Sequence, residues 1–120
     1  MNASARILGD VAIVDLSESA VSTGGLSPLR AEVKQLLDAG HRHILINLNA
    51  VRYMDSSSLG DLLAAKKSAL VAGASLKLLR PSHHVYSLIA ETGLNRVFES
   101  FDDEKVAVRS FGAGGRARLE

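Results

Sequence analysis

The fold is decided by residues 43–60, which read HILINLNAVRYMDSSSLG. The first part, residues 43–48, is mainly aliphatic at both odd and even positions, which is typical of a strand covered on both faces. The last part places oxygen-bearing side chains at residues 55–58, where they can hydrogen-bond the free N–H groups of a first helical turn. We therefore predict a buried central strand, then a connector, then a helix over residues 58–72 that ends at Gly73.

A second strand is predicted after that helix, because residues 75–80 are mostly aliphatic and Pro81 stops them. A strand, a helix and a strand in this order form a crossover unit, whose right-handed connection belongs to a parallel sheet. The central strand and residues 75–80 are therefore expected to run in the same direction.

Three shorter elements are predicted in the C-terminal part of the chain. Ser82 is placed to cap a helix that ends at Gly93. Residues 96–99 form a short candidate strand. A last short helix is expected to begin after Asp102 or Asp103 and to end at Val108, since aspartate is a preferred capping residue.

The N-terminal part of the chain predicts a hairpin followed by a helix. Residues 6–8 and 10–16 are rich in aliphatic and β-branched side chains and are separated by a turn signal. Ser27 is then predicted to cap a helix, with Pro28 at the first helical position and Gly40 just past its end.

Composition limits the classes of function. The 120 residues are 47% hydrophobic, carry a formal net charge of +1 and include no cysteine. One compact core is expected, without a disulfide framework or a thiolate site, and a near-neutral charge gives no long-range attraction to nucleic acid. No secretory leader is visible, nor an apolar run of the roughly 18–20 residues that span a membrane, so we expect a soluble cytoplasmic protein.

The cluster Asp55, Ser56, Ser57 and Ser58 has two interpretations. In the first it is only a helix cap, because Asp and Ser side chains accept hydrogen bonds from first-turn N–H groups. In the second, a hydroxyl at the electropositive start of a helix is a place for a phosphate, which adds about −1.5 to −2 charges. Residue types alone leave both interpretations open.

Three segments occur in a characteristic order. Residues 44–60 run from the central strand to Gly60, residues 73–78 follow the helix, and residues 89–98 contain the turn Thr92-Gly93-Leu94. This order resembles the signature of STAS domains, the anti-sigma-factor antagonist family. The resemblance extends over about residues 26–111, most of the chain.

The resemblance implies a single α/β domain. It implies a mixed central sheet of about four to six strands, with about four helices packed mainly on one side. We expect this STAS-like domain over residues 1–111. Residues 112–120 have little apolar area to bury, so we expect a flexible C-terminal tail there.

A phosphate acceptor directly after the motif aspartate, Asp55, is also implied by the resemblance. By position this acceptor is Ser56, and Ser57 is the second candidate. The implied partner-binding and switch residues form what we call the switch segment, residues 55–60: Asp55, Ser56, Ser57, Ser58, Leu59 and Gly60.

The partners implied by the resemblance are proteins. In the family, the unphosphorylated form binds an anti-sigma factor, which is often an ATP-using serine kinase that inactivates its antagonist. The expected partner is therefore an anti-sigma factor/serine kinase, with ATP bound by the partner, and a serine phosphatase is a second one. The chain itself is not expected to be an enzyme, to hold a cofactor or metal, or to bind nucleic acid.

Two departures from the family pattern keep an alternative open. Family members usually carry glycine where this chain has Ser58, and a polar stretch, residues 17–25, stands where an early Gly-Glu-Leu-Asp-like segment is usual. The alternative is a STAS scaffold subunit of a signalling or lipid-transport complex that is not phosphorylated. A third hypothesis is a small anion held in a groove beside the helix start at Asp55.

Other candidate residues favour structural roles. Neither the pair His41 and His43 nor the adjacent pair His83 and His84 has the i, i+4 spacing that aims two helical ligands at one metal. A serine hydrolase would lack the glycine-flanked nucleophile elbow. Lys66 lies on the apolar stripe of its helix, so we expect its stem to cover the core and its ammonium to reach water, with a contact near the switch segment as the alternative.

Overall fold

A five-stranded mixed sheet organises the residues that the structure, a computed structural model, describes: 3–17, 20–21 and 27–116. The strands within these residues are β1 (Ala3–Leu8), β2 (Val11–Leu16), β3 (Ala20–Val21), β4 (His43–Asn47), β5 (Tyr53–Met54), β6 (Ser75–Leu79) and β7 (Ser100–Phe101). The helices are α1 (Ser27–Asp38), α2 (Ser56–Val71), α3 (His83–Glu91) and α4 (Glu104–Arg116), with a 3-10 turn at Leu94–Arg96. The predicted mixed α/β fold is confirmed.

Strand β4 lies at the centre of the sheet, whose order is β1-β2-β4-β6-β7. The predicted hairpin of β1 and β2 is confirmed, and Gly9 at its turn has a left-handed φ of 61°, which glycine adopts without strain. The predicted crossover is also confirmed, because β4 and β6 pair in parallel, with Ile44 opposite Leu76 and Ile46 opposite Leu78. Strands β3 and β5 form a separate two-stranded parallel pair.

The two faces of the sheet carry separate cores, because successive side chains of a strand point to opposite faces. Ile44 and Ile46 of β4 belong to a large core with α1, α2 and α3, whereas Leu45 belongs to a smaller one with α4. All three side chains have an exposed fraction of 0%. Three of the four described helices therefore cover one face, as the resemblance to STAS domains implies.

The predicted caps of α3 and α4 are confirmed, whereas the start of α2 differs from its prediction. That helix begins at Ser56 rather than at residue 58, because Asp55 already takes the capping position. The Ser82 cap of α3 is confirmed, since its hydroxyl accepts from the N–H of Val85 at 3.2 Å. Of the two aspartates predicted to cap the last helix, Asp103 accepts a first-turn N–H at 3.1 Å.

The strand predicted over residues 96–99 is wrong. The N–H groups of Val97 and Phe98 both bond back to the carbonyl of Leu94, at 2.9 and 3.0 Å, so neither is available to a strand ladder. The chain makes a 3-10 turn there and pairs with β6 only at Ser100 and Phe101. The sequence pattern does not predict this turn, because three residues are too few to show a hydrophobic period.

Some predictions fall outside the described residues. The side chain of Ser27 and most of the polar stretch 17–25 are among them, although Ala20–Val21 pairs with β5. The predicted end of the last helix at Val108 is wrong, because the backbone of α4 continues to Arg116, and the boundary of the tail at residue 112 stays a prediction. No helix in the described part of the chain is both long and apolar enough to cross a membrane.

A charged network joins the hairpin to the start of α4. The Arg6 guanidinium bonds the Asp15 carboxylate at 2.6 Å and the Glu104 carboxylate at 2.7 Å, and the Asn47 amide donates to Asp15 at 2.7 Å. The hydrogen bond from Arg6 holds the pKa of Glu104 below its usual value. Burial tends to raise the pKa of Asp15, but hydrogen bonds from Arg6 and Asn47 lower it overall.

We predict that Arg6→Gln lowers the free energy of unfolding at neutral pH by up to about 1 kcal/mol, the upper range for exposed ion pairs. A carboxyl group whose pKa is lowered by folding stabilises the protein above its unfolded pKa and loses that contribution as pH falls through the folded pKa. The difference in unfolding free energy between wild type and variant should therefore shrink as the pH falls below the ordinary carboxyl range and vanish once Asp15 and Glu104 are protonated in the folded state. Urea unfolding across this pH range measures it.

The matched control is Lys34→Gln, because the Lys34–Asp38 pair is far more exposed, with side chains 76% and 67% accessible. It should change the unfolding free energy little. An Arg6→Gln variant as stable as wild type at neutral pH, or a difference that persists in acid, would contradict the prediction.

Candidate functional site

The start of α2 is organised by one carboxylate. Asp55 is extended, with φ −97° and ψ 177°, and its Oδ1 accepts the N–H of Ser58 at 2.8 Å. Its backbone carbonyl accepts the N–H of Leu59 at 3.0 Å. The backbone N–H of Ser58, followed by the Ser58 side chain, lowers the pKa of Asp55. Asp55 is thus an ionised cap at neutral pH.

The three serines that follow Asp55 occupy different environments. Ser58 is completely buried, with an exposed fraction of 0%, and its side chain hydrogen-bonds Asp55. Ser56 and Ser57, on the first turn of the same helix, are exposed. The cap interpretation therefore accounts for Asp55 and Ser58, and it leaves two hydroxyl groups facing outward.

The last two residues of the switch segment also differ from each other. Leu59 is buried in the large core, where its exposed fraction is 4%. Gly60 is exposed, and a Cβ atom added there would meet no atom within 4 Å. The structure therefore brings Ser56, Ser57 and Gly60 together at the surface of the helix start and turns Ser58 and Leu59 inward.

Helix α3 adds side chains that sequence reasoning did not connect with this site. The ring of His84 stacks on Tyr53 at a centroid distance of 4.5 Å, and its Nε2 lies 3.4 Å from the carbonyl of Met54. The Ser82 hydroxyl donates to the carbonyl of Arg52 at 2.9 Å. These contacts fix α3 against the strand that leads into the switch segment.

No sequence signal marks the contact between Tyr53 and His84, because the two residues lie on elements that only the crossover brings together. Tyr53 is 46% exposed, so the pair presents aromatic surface next to the helix start. Among the described residues, no group of three or more His, Cys, Asp or Glu side chains could hold a metal ion.

The sequence is similar to that of a named bacterial protein. A Thermotoga neapolitana protein, named as an anti-sigma factor antagonist and homologue of TM1081, is 31% identical over 68 residues. The aligned part spans 57% of this chain and 60% of that relative.

Two solved structures share the fold. The crystal structure of Thermotoga maritima TM1081 has a TM-score of 0.73 at 24% identity, covering 90% of this chain and 92% of that one. Bacillus SpoIIAA, an anti-sigma factor antagonist in its unphosphorylated form, has a TM-score of 0.74 at 20% identity, covering 92% of this chain and 96% of that one. At these identities the two structures establish a common fold.

The family comparison covers most of the chain. The STAS domain model matches residues 2–107, which include all seven strands of the described residues, the switch segment and α3. The match agrees with the order of segments from the central strand to the threonine-glycine-leucine turn. The chain therefore belongs to the STAS domain family.

Proposed function

We propose that this protein is an anti-sigma factor antagonist that binds an anti-sigma factor through the exposed part of the switch segment, and that phosphorylation of Ser56 prevents this binding. One observation carries the proposal: Ser56 is exposed on the first turn of a helix whose cap is made by other side chains, those of Asp55 and Ser58. A modification of Ser56 therefore need not disturb the cap.

Accessibility favours two of the three serines as phosphate acceptors. A kinase has to reach the hydroxyl oxygen, and Ser58 is buried and bonded to Asp55. Ser56 and Ser57 are both exposed. Ser56 is preferred because it directly follows the aspartate of the STAS motif, and Ser57 remains the second candidate.

The proposed effect of the phosphate is electrostatic. A phosphoserine adds about −1.5 to −2 charges, which the positive end of the helix dipole favours. The same charge stands next to the ionised Asp55 and has to be desolvated when a protein partner docks. The phosphate would therefore leave the fold intact and oppose docking.

The proposed partner is an anti-sigma factor that is also a serine kinase and binds ATP itself, and a serine phosphatase would reverse the modification. This part rests on the family and on the names of the relatives, two of which are anti-sigma factor antagonists. SpoIIAA, which shares the fold, is described in an unphosphorylated form. The chain would act as a substrate and binding protein and supply no catalytic group.

Gly60 has no side chain, so a partner can approach the backbone closely at the proposed surface. Its φ is not left-handed, and open space surrounds the position of a Cβ atom, so neither the backbone nor the packing requires glycine there. Glycine inside a helix lowers stability by roughly 0.5–1 kcal/mol relative to alanine. We attribute its presence to close approach of the partner at the helix start.

The first prediction concerns the phosphorylated residue. Incubation with the cognate serine kinase and ATP should label the wild type and Ser57→Ala but not Ser56→Ala, as mass spectrometry of the modified peptide can establish. Ser56→Asp should bind the anti-sigma factor at least about tenfold more weakly than wild type, since an uncompensated charge at an interface costs more than 1.4 kcal/mol.

Two results would count against this prediction. Full labelling of Ser56→Ala would exclude Ser56 as the acceptor. Unchanged binding by Ser56→Asp, measured by titration calorimetry, would favour the alternative of a STAS scaffold subunit that is not phosphorylated.

A second prediction separates folding from docking. Ser56→Asp should keep the Tm of the wild type, because an acidic side chain on a first helical turn is favoured by the helix dipole. Asp55→Ala should lower the Tm, because the Ser58 N–H loses its acceptor. If Ser56→Asp unfolds as readily as Asp55→Ala, the phosphate would act by disrupting the helix and not the interface.

A third prediction concerns Gly60. Gly60→Ala should raise the free energy of unfolding by about 0.5–1 kcal/mol and yet weaken binding to the anti-sigma factor. Ser68→Ala, an exposed change farther along α2, is the control and should leave binding unchanged. Equal binding by Gly60→Ala and wild type would contradict a close approach at this residue.

A further inference from the structure

A cleft lies where β6 begins, at the opposite end of the parallel strands from the switch segment. Its volume is about 430 Å³, within the range of small-molecule sites. The lining comes from the C-terminal half of α2, the start of β6 and the 3-10 turn with the residues after it, and its polar side chains are those of Lys66, Ser75, Lys77, Asn95, Arg96 and Glu99. The switch segment instead follows the end of β4, and β4 and β6 run in parallel.

The floor of this cleft is an incompletely paired strand edge. Strand β7 pairs with β6 only at Leu78 and Leu79, so Leu76 precedes the paired region. The Leu78 N–H bonds the Glu99 carbonyl at 2.9 Å, and Leu76, two residues earlier, presents its backbone to the same side. The Lys66 ammonium donates to the Leu76 carbonyl at 3.1 Å.

Lys66 is partly buried, and its ammonium lies at the strand edge that lines the cleft. Burial lowers its pKa, and the nearby Glu99 charge only partly opposes this effect. An ammonium has three N–H donors, and Leu76 accepts one of them. None of the salt bridges among the described residues involves Lys66. A partly buried ammonium, bonded to one backbone carbonyl and to no carboxylate among these salt bridges, therefore lines the cleft.

Positive charge exceeds negative charge around the cleft. Lys66, Lys77 and Arg96 line it, and Glu99 is the one carboxylate among its lining residues. Glu99 lies 3.4 Å from the Lys77 ammonium, which also donates to Ser110 at 2.9 Å. Glu99 therefore neutralises Lys77 more directly than it neutralises Lys66 or Arg96.

We propose that this cleft binds a small phosphate-bearing ligand, with Lys66 and Arg96 as its charged contacts. A phosphate group offers several acceptor oxygens, which match the ammonium of Lys66 and the planar guanidinium of Arg96. Ser75 and Asn95 add neutral donors to the lining. The ligand would replace the hydration that Lys66 loses by burial. This site is independent of Ser56 and of the proposed switch.

The experiment is a titration of the full chain with inorganic phosphate, against sodium chloride of equal ionic strength, followed by amide NMR. Saturable shifts are expected at residues 75–77 and 95–99. Lys66→Met should weaken binding about tenfold or more, the loss expected for one charge-assisted hydrogen bond. The matched control is Lys67→Met, which removes the same charge from an exposed neighbour and should change nothing.

Two further variants complete the test. Glu99→Gln should tighten phosphate binding, because it removes the carboxylate that competes for the cations. Arg96→Gln, at an exposed residue, should weaken binding, and it replaces Lys66→Met if that variant does not fold. Glucose 6-phosphate is titrated in parallel: tighter binding than inorganic phosphate identifies a phosphate monoester as the ligand, and equal binding identifies the free ion.

The same amide chemical-shift changes with chloride would overturn the proposal. An equal loss of phosphate affinity in Lys66→Met and Lys67→Met would overturn it too. Both results would mean that the anion responds to overall charge and not to a built site. Loss of phosphate binding would leave the phosphorylation of Ser56 unaffected, so the two proposals fail separately.

Discussion

Strand β4 has to be buried on both faces, and the rest of the fold depends on this requirement. Ile44, Leu45 and Ile46 have no exposed surface, and burying each such side chain contributes about 1.5–3 kcal/mol. One layer of helices cannot cover two faces. The crossovers bring α1, α2 and α3 to one face, and α4 returns at the end of the chain to cover the other. The arrangement also leaves α2 to start just beyond the end of β4, where the switch segment lies.

At the start of α2, the side chains that cap the helix leave other serine hydroxyls exposed for modification. The free N–H groups of a first turn require acceptors, and Asp55 supplies one to Ser58 while its carboxylate stays ionised. Because this cap turns Ser58 inward, the hydroxyls of Ser56 and Ser57 are left at the surface. Ser58, which stands where family members usually carry glycine, therefore fits as part of the cap.

The net charge of +1 conceals a strongly local distribution of charge. Arg6 pairs with Asp15 and Glu104 on the α4 side of the sheet, so two carboxylates of the same chain neutralise its charge. Lys66 instead meets a backbone carbonyl and no carboxylate within salt-bridge distance among the described residues. A near-neutral total therefore excludes long-range steering and leaves local recognition of an anion or a protein open.

The sequence by itself determined the order of the main elements, the central strand, the Ser82 cap and, to within two residues, the start of α2, because these depend on neighbouring residues and short periods. It could not determine the 3-10 turn at Leu94–Arg96 or the inward and outward directions of three consecutive serines. Nor could it place His84 on Tyr53, or Lys66 on the edge of β6. Those features depend on contacts between residues distant in the chain, and only packing of the complete sheet and its helices decides which of these residues meet.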